Sequence, residues 1–274
     1  QHAGFRYVNS DQNEKIEKNP YETDTLLSEY CEFHYGQEYH NTPIFPKSCI
    51  EMIRPFYSLL KNKHKALDLG CALGRSTLEL SLDFTKTIGI DFSVRFIDRA
   101  KTILENGTLR YGICSEGEIL DYYERSLEDI WDKKSAQIIL EKYKNGAIEF
   151  LQDDACNLQP KFSDFDLVFA GNLIDRLYAP RNFLNTIRTR LVSGGILVIT
   201  SPYTWKEEFT QKNEWLGGYR KNAENITTLQ GLKEELLPYF ELLAPPQKIP
   251  FVIRETQNKF QHTFSEMTIW KKRL

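Results

Sequence analysis

The stretch "ALDLGCALGRS", Ala66 to Ser76, decides the fold. Its apolar start has the length and character of a buried strand, and it breaks into closely spaced glycines before a helical pattern opens. Gly70, Ala72 and Gly74 form G-x-A-x-G, with Asp68 two residues ahead of the first glycine. A glycine at a strand end permits a tight turn and lets a ligand approach the backbone with no Cβ in the way. The dinucleotide pattern G-x-G-x-x-G needs a third small residue at position 75. This chain has Arg75 there, too large for the close helix-to-strand packing that the third glycine serves.

Working outward, the chain alternates. A strand "KALDLG", a helix "RSTLELSLDF", a strand "TIGID", a helix "SVRFIDRAKTILEN", strands "AIEFLQD" and "FDLVFAG", a helix "RNFLNTIRTRLV" and a strand "GILVIT" follow one another. Strands separated by such helices imply right-handed crossovers and a mostly parallel, doubly wound α/β sheet of Rossmann-like form. Two helices precede it, over 21–35 and 46–60. Residues 108–146 interrupt the alternation, and their charged pattern with aliphatics at helical intervals predicts a helical insertion or lid. Residues 203–225 form a long aromatic loop of the kind that often serves a site. "FELLA", "PFVIRE" and "SEMTIWK" predict an antiparallel hairpin at the C-terminal edge. Residues 1–20, polar and ending in Asn-Pro, read as a linker or the remnant of a preceding domain, and 21–274 as one domain.

The composition narrows the function. The 274 residues are 41% hydrophobic, enough for a real core, and 35 basic against 38 acidic residues give a net charge of −3 without the basic stripe a nucleic-acid binder needs. A small-molecule substrate is expected, with neither nucleic acid nor membrane as partner. Five scattered cysteines form no C-x-x-C pair, so neither a disulfide framework nor a metal site is expected, and the compartment reads as reducing and cytoplasmic.

The strand tips point to a ligand. "TIGID" ends at Asp91, 21 residues after Gly70, where a carboxylate can accept both hydroxyls of a ribose diol. The next strand ends in Asp153-Asp154-Ala155-Cys156, where a carboxylate suits an adenine amino group, and "AGNLIDRL" puts Asn172 at a fourth tip. Any one of these acids alone is equally explained as a helix cap. Together, over residues 64–202, they resemble the class I S-adenosylmethionine-dependent methyltransferases. The resemblance implies S-adenosylmethionine as cofactor. Gly70 to Gly74, with Asp68 and Cys71, would lie along its methionine portion, Asp91 and the adjacent Phe92 at the ribose, Asp154 and Ala155 at the adenine, and Asn172 near the sulfonium. Ala72 replaces the commonest glycine, and its methyl group is expected to displace the ligand slightly.

Other blocks narrow the resemblance. "NPYETDTLLSEYCEFHYG", "GIDFSVRFIDRA", "QDDACNL", "FDLVFAGNLIDRLYAP", "SPYTWKEEFT", "WLGG" and "PFVIRETQNKFQHTFSEMTIW" are together similar to the methyltransferases that complete ovothiol biosynthesis. Those occur alone or as the C-terminal domain of a bifunctional synthase, behind a sulfoxide synthase domain, which would be this chain's partner. The resemblance implies methyl transfer, without a metal, to the imidazole nitrogen of 5-thiohistidine nearer the side chain, the π nitrogen. For that acceptor the chemistry nominates Arg254 for the carboxylate, Glu255 for the ammonium, His262 for the ring or a proton, Asn172 and Asp175 where acceptor meets methyl, and Tyr203 and Trp205 as walls. Another small acceptor, such as histidine, and a non-catalytic scaffold on the same fold are the alternatives.

Overall fold

The computed structural model describes residues 23–274; the expected linker lies outside them. Thr23 accepts the amide N–H of Leu26 to cap α1 (Asp24–Tyr35), and α2 (Phe45–Ile53) tightens into a 3-10 segment at Arg54–Leu59. The sequence predicts one helix there, but Pro55 has no amide proton to continue the α-helical ladder. The alternating units follow as β1 (Lys65–Leu69), α3 (Arg75–Ser81), β2 (Lys86–Asp91), α4 (Val94–Asn106), β3 (Thr108–Glu116), β4 (Ile119–Ser126), α5 (Leu127–Ile130), α6 (Lys133–Lys144), β5 (Ile148–Gln152), β6 (Phe165–Gly171), α7 (Pro180–Arg190) and β7 (Leu191–Ser201). After the long loop come β8 (Tyr219–Lys221), β9 (Glu224–Ile226), α8 (Thr228–Leu236), β10 (Phe240–Leu242), β11 (Gln247–Arg254) and β12 (Phe260–Lys272).

The main sheet runs β10-β12-β7-β6-β1-β2-β5, with β11 paired to β12. β7, β6, β1, β2 and β5 are parallel, and β12 is antiparallel to β7, β10 and β11. Strand order therefore reverses between β1 and β6, which opens a crevice at their carboxyl ends. Both sheet faces are covered. Leu67, Leu69, Val168, Ala170, Leu197 and Ile199 pack with Phe183, Leu184 and Ile187 of α7, while Ala66, Leu167, Phe169, Ile196 and Val198 pack with Cys49, Ile50 and Ile53 of α2. Each buried aliphatic or phenyl side chain stabilises the fold by about 1.5–3 kcal/mol.

The C-terminal hairpin forms as predicted and does more than close an edge. Ser201, the last residue of β7, pairs with Glu266, while residues 260–265 of β12 pair with β11. The hairpin thus rises past the carboxyl edge of the sheet. The 108–146 insertion differs from the prediction of helices throughout. Gly117, at φ +56°, turns β3 back into β4, and "ILDYYERS" alternates as a strand, with Tyr122 81% exposed and Tyr123 turned inward to the Arg254 guanidinium. Only Leu127–Ile130 and Lys133–Lys144 are helical. The two hairpins meet near their tips, where Gln257 donates its amide N–H to the Cys114 carbonyl at 2.9 Å and Ser115 Oγ donates to Gln257 Oε1 at 2.9 Å. No helix among the described residues is long and apolar enough to cross a membrane.

Candidate functional site

A cavity of about 490 Å³ lies over the carboxyl ends of β1, β2, β5 and β6, walled on the far side by α1, the start of α2 and the β11–β12 hairpin. Its floor is the glycine turn. Gly70 takes φ +69° and donates its N–H to the Ile90 carbonyl at 2.8 Å, and Ala72 takes φ +46° and donates to Asp91 Oδ2 at 2.9 Å. Ala72 therefore holds a left-handed conformation that costs an L-residue roughly 1–2 kcal/mol. Gly70, Cys71 and Ala72 border the cavity, whereas Asp68 and Gly74 do not. Asp68 is buried under the turn, where its Oδ2 accepts the Ser76 and Thr77 hydroxyls at 2.6 Å each. Burial raises its carboxyl to about 6. A Cβ on Gly74 would stand 2.4 Å from the Phe150 ring, so this glycine serves the seating of α3 on β5.

The other strand tips bring their polar groups to the same space. Asp91 borders the cavity and accepts amide N–H groups from Ala72 and Ser93, both at 2.9 Å. Beside it Phe92 is 57% exposed, an uncovered ring on the cavity's rim. Asp154 and Ala155 border the cavity as expected, but the Asp154 carboxylate is already engaged: Oδ1 accepts the Cys156 N–H at 2.8 Å and Oδ2 the Tyr178 hydroxyl at 2.7 Å. Asp153, which the sequence reading left without a role, has Oδ1 on the Asp154 N–H, while its Oδ2 is buried with no partner among the described residues. Asn172 sits at the tip of β6 with φ +50°, held by donation of its N–H to Thr200. Its side-chain Oδ1 accepts the Ser265 hydroxyl at 2.6 Å and the Thr200 hydroxyl at 3.1 Å, and this pattern leaves the amide N–H bonds for the cavity.

The residues nominated for the acceptor fall elsewhere. Asp175 is fully buried and accepts four hydrogen bonds, from Ser201 Oγ (2.8 Å), Thr204 N and Oγ1 (3.0 Å each) and Arg176 Nη1 (2.7 Å). It ties the start of the long loop to the sheet. Tyr203 turns its hydroxyl to Glu266 at 2.9 Å, and Trp205 donates Nε1–H to Thr228 Oγ1 at 2.8 Å while stacking on Trp215. Alternation along the loop leaves Pro202 and Thr204 facing the cavity instead. The same alternation moves His262: Gln261 and Thr263 border the cavity, and His262 between them is exposed and stacks on Phe264. Arg254 is buried beneath the cavity wall, where Nη1 donates to the Tyr39 and Tyr123 hydroxyls at 3.0 and 2.9 Å. Glu255 forms a strand-edge pair with Lys259 and accepts Gln261 Nε2.

Sequence reasoning weighs Tyr30 and Tyr35 of α1 as site walls, sets them aside as core, and gives Phe33 and His34 no role. Tyr30, Phe33 and His34 border the cavity with Phe45 and Phe251, and Phe33, Phe45 and Phe251 form one aromatic cluster with centroids 5.1–5.9 Å apart. A polar residue inside the apolar stripe of α1 was the signal for His34. Arg75 is turned away from the cavity, with Nε 2.8 Å from Glu79 Oε1 and its guanidinium over the Trp131 ring at 4.3 Å.

The set of groups fits an adenosyl sulfonium ligand. The Asp91, Asp153 and Asp154 carboxylates border the cavity, one buried oxygen of Asp153 has no partner among the described residues, and a left-handed turn borders the same space with its backbone. No cluster of metal-ligating side chains occurs among the described residues.

Comparison with known proteins agrees with this geometry. A family model described as "Methyltransferase domain" matches residues 67–199. Among solved structures, the N-methyltransferase NodS of Bradyrhizobium japonicum in complex with S-adenosyl-L-homocysteine is similar at 14% identity over 91% of this chain and 99% of that one, with a TM-score of 0.50. A protein solved in work on the conversion of a disulfide bond into a thioacetal group during echinomycin biosynthesis is similar at 12% identity, over 92% and 93% of the chains, also with a TM-score of 0.50. A search of curated protein sequences finds no match. Residues 67–199 thus match a methyltransferase domain, and the β5-β2-β1-β6-β7 order with the antiparallel β12 gives the chain the Rossmann-like fold of such enzymes.

Proposed function

We propose that the enzyme methylates the π nitrogen of 5-thiohistidine, giving ovothiol A. The observation that carries a small, ring-shaped acceptor is the shape of the cavity. At about 490 Å³ it lies in the range of single small-ligand pockets, and its far side is a compartment walled by Phe33, Phe45 and Phe251. Cofactor and acceptor would share that space, which suits a small acceptor. The sequence blocks of the ovothiol methyltransferases supply the identity of the ring.

When bound, the cofactor supplies an electrophilic sulfonium methyl group. The protein's part is to hold the acceptor nitrogen in line with it, and positioning of this kind is worth roughly 7–11 kcal/mol. In our reading Gly70, Cys71 and Ala72 follow the methionine portion, Asp91 takes the ribose hydroxyls and Phe92 covers that end. Asp153 joins Asp154 and Ala155 at the adenine, because its free oxygen is the better placed acceptor for an amino group. Asn172, oriented by Ser265 and Thr200, turns its amide N–H bonds to the thiolate sulfur of the acceptor. Such a bond occupies the competing nucleophile and leaves the ring nitrogen's lone pair for the methyl group. Arg254, Glu255 and His262 have no part in this arrangement, so the acceptor's charged head group lies toward the cavity mouth, where Arg176 and Glu208 stand.

The test is incubation with methyl-labelled S-adenosylmethionine and, in parallel, 5-thiohistidine, histidine and an imidazole thiol lacking the amino-acid head. Products are read by mass spectrometry and NMR. Methyl on the π nitrogen of 5-thiohistidine is the expected result. Methyl on sulfur, or methylation of histidine alone, overturns it. Equal turnover of the headless thiol would show that no amino-acid head is recognised.

A further inference from the structure

His34 has no role in the motifs, yet it is held as firmly as any residue of the site. It lies in the last turn of α1, is 4% exposed and borders the cavity. The Arg75 backbone N–H donates to its Nδ1 at 3.4 Å, and Arg75 Nη1 donates to its carbonyl at 3.2 Å. The next residue, Tyr35, donates its hydroxyl to the Leu73 carbonyl at 2.5 Å. All three contacts clamp the end of α1 onto the glycine turn. Arg75 is itself pinned by Glu79 and by the Trp131 ring, and Trp131 Nε1 donates to the same Glu79 at 3.0 Å. The residue that breaks the dinucleotide pattern is thus the anchor of this imidazole.

With Nδ1 accepting, the neutral ring carries its proton on Nε2. That nitrogen has no hydrogen-bond partner among the described residues and is not sealed in the interior, so the cavity is the space it faces. Burial, helped by the nearby Arg75 guanidinium, pushes the imidazole down to about 3, so it stays a neutral donor throughout the physiological range.

We propose that His34 Nε2–H donates to the carboxylate of the cofactor's methionine end. The assignment rests on the methyltransferase reading of the cavity and is independent of which acceptor is used. The position favours the donor over the acceptor substrate: the ring is fixed to the Arg75 amide just after the glycine turn, and its neighbour Tyr35 to Leu73 within the turn, whereas the acids at Asp91, Asp153 and Asp154 serve the other end of the same ligand. A neutral donor holds a carboxylate there without adding a second cation beside the sulfonium.

Calorimetry on the full chain with S-adenosylhomocysteine and with 5′-methylthioadenosine, which lacks the amino acid, tests this. His34→Phe should weaken S-adenosylhomocysteine about tenfold to a hundredfold, the range for one hydrogen bond to a charged group, and leave 5′-methylthioadenosine within twofold. His34→Gln, which restores an N–H at that reach, should recover most of the loss. In the unmutated protein the Nε2 proton should shift on adding S-adenosylhomocysteine and stay in place with 5′-methylthioadenosine, a readout that survives any folding defect of the variants. Equal weakening of both ligands in His34→Phe, or an unmoved Nε2 resonance, overturns the proposal. Failure of the unmutated protein to bind either ligand would overturn the methyltransferase reading and this assignment with it.

Discussion

Asp175 separates a structural acid from a catalytic one. Its carboxylate is fully buried and accepts four hydrogen bonds, three of them at Oδ2 from Arg176 and Thr204 and one at Oδ1 from Ser201. Asp175→Ala would leave the Thr204 amide and the Ser201 hydroxyl without their acceptor, while Arg176 keeps the Asp175 and Thr204 main-chain carbonyls. Each buried donor left unsatisfied costs about 1–3 kcal/mol, so a loss of roughly 3 kcal/mol follows for the two together. Asp175→Asn is milder, because one oxygen can stay with Thr204 and Arg176 while the Ser201 hydroxyl turns to accept the new N–H; roughly half that cost follows from loss of the charge. At about 2–4 °C per kcal/mol for a domain of this size, the alanine variant should melt roughly 10 °C lower. Urea unfolding followed by circular dichroism measures the loss, with an unchanged m-value, and turnover is assayed where the variants remain folded. An asparagine variant of wild-type stability whose methyl transfer is abolished would return Asp175 to catalysis.

Three further outcomes follow from the same geometry. Ala72→Gly relieves roughly 1–2 kcal/mol of left-handed strain against about 0.5–1 kcal/mol of extra chain freedom when unfolded, so a net gain of about 0.5–1 kcal/mol is expected in urea unfolding; a loss of 1 kcal/mol would contradict the strained turn. Asp153→Ala should weaken S-adenosylhomocysteine by more than Asp154→Ala does in calorimetry, because Asp154 is occupied by Cys156 and Tyr178; the opposite order would restore Asp154 as the adenine acceptor. His34 is held down to about 3 in the fold against an ordinary 6.5, so below pH 6.5 the unfolded chain binds a proton that the folded one refuses, and stability falls as the pH drops. His34→Phe removes that contribution, and its stability relative to the unmutated protein should improve by roughly 2 kcal/mol between pH 7 and pH 5; a difference independent of pH would contradict the buried neutral imidazole.

The parts legible in the sequence are those governed by local rules. The glycine turn, the strand-ending acids and the alternation of strands with helices are short-range patterns, and they locate one wall of the cavity. The opposite wall depends on which residues tertiary packing brings over the sheet edge. Nothing local says that α1 docks onto the glycine turn, so His34 and Phe33 read as one side of an amphipathic helix. Period-two alternation was available for β12 and would have chosen Gln261 and Thr263 over His262, but residue chemistry outweighed geometry. "ILDYYERS" misled for a related reason: its charges suit a solvated helix, whereas Gly117 and the inward Tyr123 make it the second strand of a hairpin. Arg254 carried the right chemistry for a carboxylate and is spent on two tyrosine hydroxyls instead.

An acid-lined cavity built for S-adenosylmethionine and not for a dinucleotide should tell the two ligands apart. Thermal unfolding of the unmutated protein with S-adenosylhomocysteine and, separately, with NAD tests it most directly. A ligand at 100 times its dissociation constant adds about 2.7 kcal/mol of stability. A saturable rise in Tm with S-adenosylhomocysteine and none with NAD is expected; a rise with NAD and none with S-adenosylhomocysteine would rule out an S-adenosylmethionine site.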